Sequence, residues 1–211
     1  ILAQDPDLVI MSSVGADQAL DIYDQLASDV PVMVVDYSDK SWEDVTTMVG
    51  KATGLEKNAD DVIKKYEDRV TEVKNGINLP PQPVNIVAMS PDSMSFFTPE
   101  SAQGRIFTSV GFEVATPPQN LIGETSISRQ RSDVVGVLPE NFGPALTGET
   151  VFMQTVKAEG KTSDKIRQNP QLAQAPAVTA DRLYELNPDA FRIDYYSAMN
   201  VLNNLEGWFK K

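Results

Sequence analysis

The first 54 positions alternate between short unbroken apolar runs and segments with apolar residues three or four positions apart. The runs predict buried strands and the spaced segments predict amphipathic helices. In chain order these are the strand 7–11, the helix 15–28, the strand 30–37 and the helix 41–54. Ser41 suits the N-cap of the last helix and Gly54 its C-terminal stop. The order strand–helix–strand–helix is typical of a parallel sheet.

A longer amphipathic segment follows at residues 57–75, with one apolar stripe. The stripe consists of Val62, Ile63, Tyr66, Val70, Val73 and Ile77. About 20 residues at about 1.5 Å each predict a rod of about 30 Å. Gly76 and the prolines of "NGINLPPQP" end it. We therefore predict three parts: 1–55 as the remainder of an N-terminal lobe, 56–79 as an interlobe helix, and 80–211 as a C-terminal α/β lobe.

The C-terminal part repeats the alternation of apolar runs and helical spacing. The prediction is a strand at 84–89, a loop at 90–97, a helix from Thr98 to Gly111, a short helix at 138–146, a strand at 150–156, a broken helix at 161–178, an edge strand at 181–186 and a terminal helix at 194–211. Thr98 is the expected N-cap of its helix, with Pro99 at the first helical position. The whole chain is thus predicted to be α/β.

The composition excludes several kinds of chemistry. The 211 residues include no cysteine and no histidine, and the formal charge is −12. Disulfides, thiolate nucleophiles, Cys-type zinc sites and a Ser-His-Asp triad are therefore impossible within this chain. Nucleic acid is not an expected partner, because the nonspecific electrostatic term would be repulsive.

The positive charges are unevenly distributed. Residues 1–79 carry a formal charge of −9 (7 Lys and Arg against 16 Asp and Glu), and residues 80–211 carry −3 (11 against 14). All the arginines except Arg69 lie in the second part. If such a chain binds an anion, the cations must be placed locally.

Three loops of the second part supply arginine or aromatic residues: the loop after the strand 84–89, the long loop before "VVGVL" and the loop after the strand 181–186. Ligands of open α/β sheets bind outside the carboxyl ends of strands. Arginine suits a bulky delocalised anion, and aromatic rings suit flat ligand groups. The candidate ligand-binding residues are Phe96, Phe97, Arg129, Arg131, Phe191 and Arg192.

Each loop also has a simpler interpretation. The two adjacent phenylalanines fit a core, and the loop arginines fit solvated charges, one of them paired with Asp133. Arg192 fits an ion pair with Asp189 or Asp194 near a helix start. We expect the pair Tyr195–Tyr196 to pack against the start of the last helix and to hold Arg192 in place.

The stretches "LAQDPDLVI", "PVMVVDY", "TPESAQG" and "FRIDYYSAM" resemble the iron–siderophore periplasmic binding proteins of ABC importers, and the resemblance covers nearly all of the chain. It implies two α/β lobes joined by a single long helix, the helical-backbone or class III architecture. Compared with that family, the chain starts inside the first lobe, so we expect a truncated N-terminal lobe. An unpaired sheet edge there would favour dimerisation or strand exchange.

The resemblance also implies a ligand and its partners. The ligand would be a ferric catecholate siderophore such as enterobactin, captured in the periplasm and delivered to an inner-membrane ABC permease. By motif, the ligand-contacting arginines are Arg131 and Arg192, with Phe191 beside the second and Phe97 where a relative has tryptophan. The siderophore wraps the iron, so no cofactor, protein metal ligand or catalytic residue is expected. Surface acids such as Glu100 are candidates for docking the permease.

Two other functions stay open at this stage. One is a metal-assisted hydrolase built on carboxylates, for which Asp36 is the single acid that we find at a predicted strand end. The other is an interaction domain, such as a swapped dimer, that binds no ligand.

Overall fold

Two sheets organise the chain in a computed structural model that describes residues 1–14, 18–37, 40–123, 125, 133–155 and 161–211. The contacts between residues in space divide the protein into two compact units, unit 1 (Ile1–Ile63) and unit 2 (Lys64–Lys211). Each unit combines strands and helices, which confirms the prediction of an α/β chain.

Unit 1 is built on two short parallel strands. Its elements are β1 (Val9–Ser12), α1 (Tyr23–Ala27), β2 (Val32–Val35) and α2 (Trp42–Thr53). The strands pair in register from Val9 with Val32. Of the helix expected at 15–28, the structure describes residues 18–28, which form a 3-10 turn at Leu20–Ile22 and then the short α1, so the helix is shorter than predicted. Leu26 is the one buried side chain of α1, and little packing is therefore available to stabilise a longer helix.

Both ends of α2 follow the sequence prediction. The Ser41 side chain accepts a hydrogen bond from the Asp44 N–H at 3.1 Å, and the Asp44 carboxylate accepts one from the Ser41 N–H at 3.0 Å. This reciprocal pair is a capping box. Gly54 ends the helix at φ 70°, a left-handed conformation that glycine adopts without a steric penalty.

The long amphipathic segment forms α3 (Glu56–Gly76). The boundary between the two units falls within this helix. In unit 2 the predicted apolar stripe is buried at Tyr66, Val73 and Ile77. The three-part division at residues 55 and 79 stays a prediction.

Unit 2 contains a mixed sheet of five strands. They are β3 (Val84–Met89), β4 (Met94–Phe97), β5 (Val134–Val137), β6 (Thr150–Gln154) and β7 (Leu183–Glu185). Their order in the sheet is β5-β4-β3-β6-β7. The pairs β3–β6 and β6–β7 are parallel, whereas β4 is antiparallel to both of its neighbours. The strand expected at the edge, β7, lies there.

Helices cover the sheet and close a core on each of its faces. They are α4 (Ala102–Val110), α5 (Phe142–Ala145), α6 (Thr162–Gln168), α7 (Pro176–Thr179) and α8 (Tyr195–Phe209). One core is largely aliphatic and includes Val87 and Met153. The other is aromatic and centred on Phe152, whose ring contacts those of Phe107, Phe112, Tyr184, Trp208 and Phe209.

The expected loop at 90–97 is wrong for its second half, which forms β4. A turn closes from the Ser90 N–H to the Ser93 carbonyl at 2.9 Å and leads directly into the strand. All four residues of β4 are buried. Because the sheet is covered on both faces, the strand lacks the polar alternation that would have identified it.

The expected N-cap at Thr98 is also wrong. Ser101 caps α4 by accepting a hydrogen bond from the Gly104 N–H at 2.9 Å. Thr98 instead donates from its N–H and its hydroxyl to the Asp133 carbonyl, both at 3.0 Å. Thr98 therefore extends the pairing between β4 and the residue that precedes β5.

A network of side chains ties α3 to α8 within unit 2. Arg69 donates to Asn203 at 2.8 Å and to Glu206 at 2.7 Å, and it lies 2.8 Å from Glu72. Burial lowers the pKa of Arg69, but the hydrogen bonds to Glu206 and Glu72 outweigh this and hold its pKa above the ordinary value. The hydrogen bond from Arg69, aided by its charge, lowers the pKa of the Glu206 carboxyl.

We expect Glu206→Gln to lower Tm at pH 7, because it removes the negative charge that pairs with Arg69. The folded pKa of Glu206 lies below its ordinary value of 4.5. The contribution of the pair is therefore complete above that value and is lost as the pH falls through the folded pKa. Thermal unfolding followed over pH should show the Tm difference shrinking below pH 4.5. Glu67→Gln, on the exposed side of α3, is the control. A Tm difference between the unaltered protein and Glu206→Gln that is the same at every pH would contradict a stabilising ion pair of Glu206 with Arg69.

Candidate functional site

An exposed aromatic residue and an exposed arginine lie together in the turn between β7 and α8, residues Asp189–Asp194, called the arginine loop below. A 3-10 turn at Pro188–Phe191 starts one residue before the loop and forms its first half. Phe191 is 42% exposed, and Arg192 is exposed beside it. The loop follows the carboxyl end of β7, where the sheet topology predicts ligand sites.

Two buried glutamines bond the start of the arginine loop from the protein interior. Gln103 of α4 donates to the Ala190 carbonyl at 2.8 Å and to the Phe191 carbonyl at 3.2 Å. Gln154, the last residue of β6, donates to the same Ala190 carbonyl at 2.5 Å. Gln103 is 3% exposed, Gln154 is 1% exposed and Ala190 is fully buried. The backbone next to Phe191 is thus held from two different elements.

The end of the arginine loop is held by the start of α8. Asp194 is the N-cap and accepts from the Ser197 N–H at 2.8 Å, while the Ser197 hydroxyl accepts from the Asp194 N–H at 2.7 Å. The same hydroxyl contacts the Arg192 carbonyl at 3.1 Å. Asn200 donates to the Asp189 carboxylate at 2.6 Å. Both carboxylates that flank Arg192 in sequence therefore accept hydrogen bonds from α8.

The other two candidate aromatic residues are buried, which agrees with the simpler interpretation that they fit a core. Phe96 is fully buried in the aliphatic core and pairs across the sheet with Val87 and Val135. Phe97 is 4% exposed and pairs with Val134. Both belong to β4, and both are buried because helices cover the two faces of the sheet.

The other sequence candidates fall in different places. Arg129 and Arg131 lie outside the described residues. Glu100 is exposed just before α4. Tyr196 is 75% exposed, and its ring meets the ring of Tyr195, the first residue of α8, edge-on with centroids 5.2 Å apart. That the pair holds Arg192 in place stays a prediction.

Two further observations bear on the kind of site. Among the residues that the structure describes, no group of three or more Asp and Glu side chains could hold a metal ion. Within the same residues, no helix is both long and apolar enough to cross a membrane.

Sequence reasoning missed Gln103 and Gln154. Gln103 shares the buried face of α4 with Ile106, Phe107 and Val110, at spacings of three, four and seven residues. A polar residue on such an apolar stripe signals a buried hydrogen bond, since burying an amide without one is costly. Gln154 ends the apolar run of β6 and carries the same signal.

The chain is similar to known proteins in sequence and in fold. The sequence profile of the family described as periplasmic binding protein matches residues 1–190. The ferric enterobactin-binding periplasmic protein FepB of Escherichia coli O6:H1 is 39% identical over 211 residues, which is 99% of this chain and 65% of that protein. The chain therefore spans just under two thirds of the length of this curated relative.

Solved structures show the same fold. The crystal structure of holo-ViuP has a TM-score of 0.86 and 27% identity, over 99% of this chain and 69% of that one. SirA of Staphylococcus aureus has a TM-score of 0.75 and 21% identity, over 98% and 77% of the two chains. The predicted α/β architecture of a periplasmic binding protein is thereby confirmed. The extent of the profile match and the identity to FepB show that the chain belongs to the periplasmic binding protein family.

Proposed function

We propose that the protein is the substrate-binding protein of an ABC importer, and that it captures a ferric catecholate siderophore in the periplasm and delivers it to an inner-membrane permease. The observation that carries this proposal is the 39% identity over 99% of the chain to a protein named for binding ferric enterobactin. Membership in a family of binding proteins, with no catalytic role implied, agrees with it.

The chemistry of the arginine loop supports a ligand of this class. A ferric tris-catecholate is a trianion that presents aromatic rings, so it needs fixed cations and flat apolar surfaces. Arg192 provides a permanently charged planar donor, and Phe191, a residue that is 42% exposed, provides an aromatic ring beside it. With a formal charge of −12 on the chain, general surface attraction cannot collect an anion. A local cation in an exposed turn meets this requirement.

The proposed ligand contacts are Phe191 and Arg192, with Arg131 and Arg129 supplying further charge. Phe96 and Phe97 are left out, because their side chains are buried in the sheet. The iron is wrapped by six catecholate oxygens of the siderophore, so the protein needs to recognise only the outer surface of the complex.

The test is retention of ferric enterobactin by the purified protein in ultrafiltration, read from the visible absorption of the complex. We expect retention of the ferric catecholate and at least about tenfold weaker retention of an uncharged ferric hydroxamate, since a missing charge-assisted contact is worth about 1.5–3 kcal/mol. Equal retention of the two complexes would contradict recognition of a catecholate trianion. Retention of neither would contradict the proposal as a whole.

The partners beyond the ligand are also proposals. Exposed acids of unit 2, of which Glu100 is one, would contact basic residues of a permease. Self-association through the two-stranded sheet of unit 1 stays a prediction of the sequence.

A further inference from the structure

We propose that Gln103 and Gln154 are positioning residues that fix the arginine loop in the conformation that receives the ligand. This inference rests on the proposed function, because it assigns a role in ligand binding to two buried side chains. Its physical basis is a pair of buried amides that converge on one carbonyl oxygen.

The convergence is specific. Gln103 comes from α4 and Gln154 from β6, and both amide nitrogens donate to the Ala190 carbonyl. Gln154 projects from the same face of the sheet as Phe152, two residues earlier, because side chains alternate along a strand. Gln103 also reaches the Phe191 carbonyl. The two glutamines thereby fix the backbone on the interior side of Phe191.

The orientation of the Gln154 amide is set by this bond. Its Oε1 atom is buried and has no hydrogen-bond partner among the described residues. Exchanging the oxygen and nitrogen would place two oxygens against each other at the Ala190 carbonyl, which is less favourable than leaving Oε1 unpaired.

The bonds also have an electrostatic consequence. The Ala190 carbonyl accepts hydrogen bonds from both glutamines, and the Phe191 carbonyl accepts one from Gln103. The two carbonyl oxygens that precede Arg192 are therefore directed toward donors of the protein. Their negative ends are engaged with those donors, so that they compete less with an anion for the guanidinium of Arg192.

Replacing Gln103 or Gln154 by methionine removes the amide and keeps a similar length. We expect Gln103→Met to weaken binding of ferric enterobactin, and to do so at least about threefold more in the protein with Arg192 than in the Arg192→Ala background. Gln154→Met leaves the bonds from Gln103 in place and should act in the same direction with a smaller effect. Gln171→Met, at an exposed glutamine, is the matched control and should bind normally.

A readout without ligand separates this inference from the proposed function. Hydrogen–deuterium exchange of a peptide covering 187–194 should rise in Gln103→Met, while exchange of a peptide covering β6 stays unchanged. If the unaltered protein fails to bind ferric enterobactin, the proposed function fails and this exchange experiment alone decides the positioning role. Unchanged exchange in the arginine loop, or equal loss of affinity in both Arg192 backgrounds, would overturn the inference.

Discussion

Arg192→Ala is expected to lower the affinity for ferric enterobactin by about 10–100-fold. A hydrogen bond to a charged group contributes about 1.5–3 kcal/mol, and 1.4 kcal/mol corresponds to a factor of ten. The loss should appear mainly as faster dissociation, because changes within one binding interface alter koff more than kon. Stopped-flow measurement of association and dissociation would give both constants.

Two variants make the Arg192 experiment specific. Arg192→Lys keeps the charge but loses the planar fork, so we expect an intermediate affinity. Arg167→Ala removes another arginine of unit 2, one that pairs with Asp181 at 2.7 Å, and should leave the affinity unchanged. The affinity of the unaltered protein should fall more steeply with salt than that of Arg192→Ala. If Arg192→Ala binds normally, the ligand site lies elsewhere.

Phe152→Ala is expected to destabilise the protein by about 3–5 kcal/mol, the usual cost of removing a large buried aromatic side chain. Phe152 is fully buried on the central part of β6. Its ring lies 4.6 Å from that of Phe107 and 5.5 Å from that of Tyr184, measured between centroids. The variant would leave a cavity between the sheet and the helices α4 and α8. Urea denaturation followed by circular dichroism measures the loss.

Phe191→Ala provides the matched control, since it removes the same atoms from a side chain that is 42% exposed. We expect it to change the stability by less than about 1 kcal/mol and yet to weaken binding of the siderophore. A stability loss for Phe191→Ala as large as that for Phe152→Ala would show that Phe191 belongs to the core and not to a binding surface.

The elements that the sequence predicted well are those with strong local signals. The capping box at Ser41 and the glycine at position 54 define α2 without help from distant residues. The stripe of α3 and the apolar run of β3 are long enough for their periods to be unambiguous. In each case the sequence within about 20 residues contains the information.

The errors arose where distant residues decide the local structure. Thr98 and Ser101 both suit an N-cap, and the choice depends on the Asp133 carbonyl, 35 residues away from Thr98. Phe96 and Phe97 belong to a strand buried on both faces, which has no alternation to reveal it. Composition could not distinguish these two rings from exposed ones such as Phe191.

The sequence indicated the exposed residues of the candidate site but not the buried residues that hold them. Arg192 and Phe191 were identified because a cation beside a ring is unusual in so acidic a chain. The glutamines that hold them lie 87 and 36 residues before Ala190, so no local pattern links them to the loop. Their polarity within apolar segments signalled a buried bond, but the partner required the fold.

The placement of the two tryptophans gives each unit its own spectroscopic probe. Trp42 is buried at the start of α2 in unit 1. Trp208 belongs to α8 in unit 2, with its ring 5.2 Å from that of Tyr184. Since the chain has only these two tryptophans, the variants Trp42→Phe and Trp208→Phe would each leave a single emitter. Their emission during denaturation would show whether the two units lose structure in one cooperative step or in sequence.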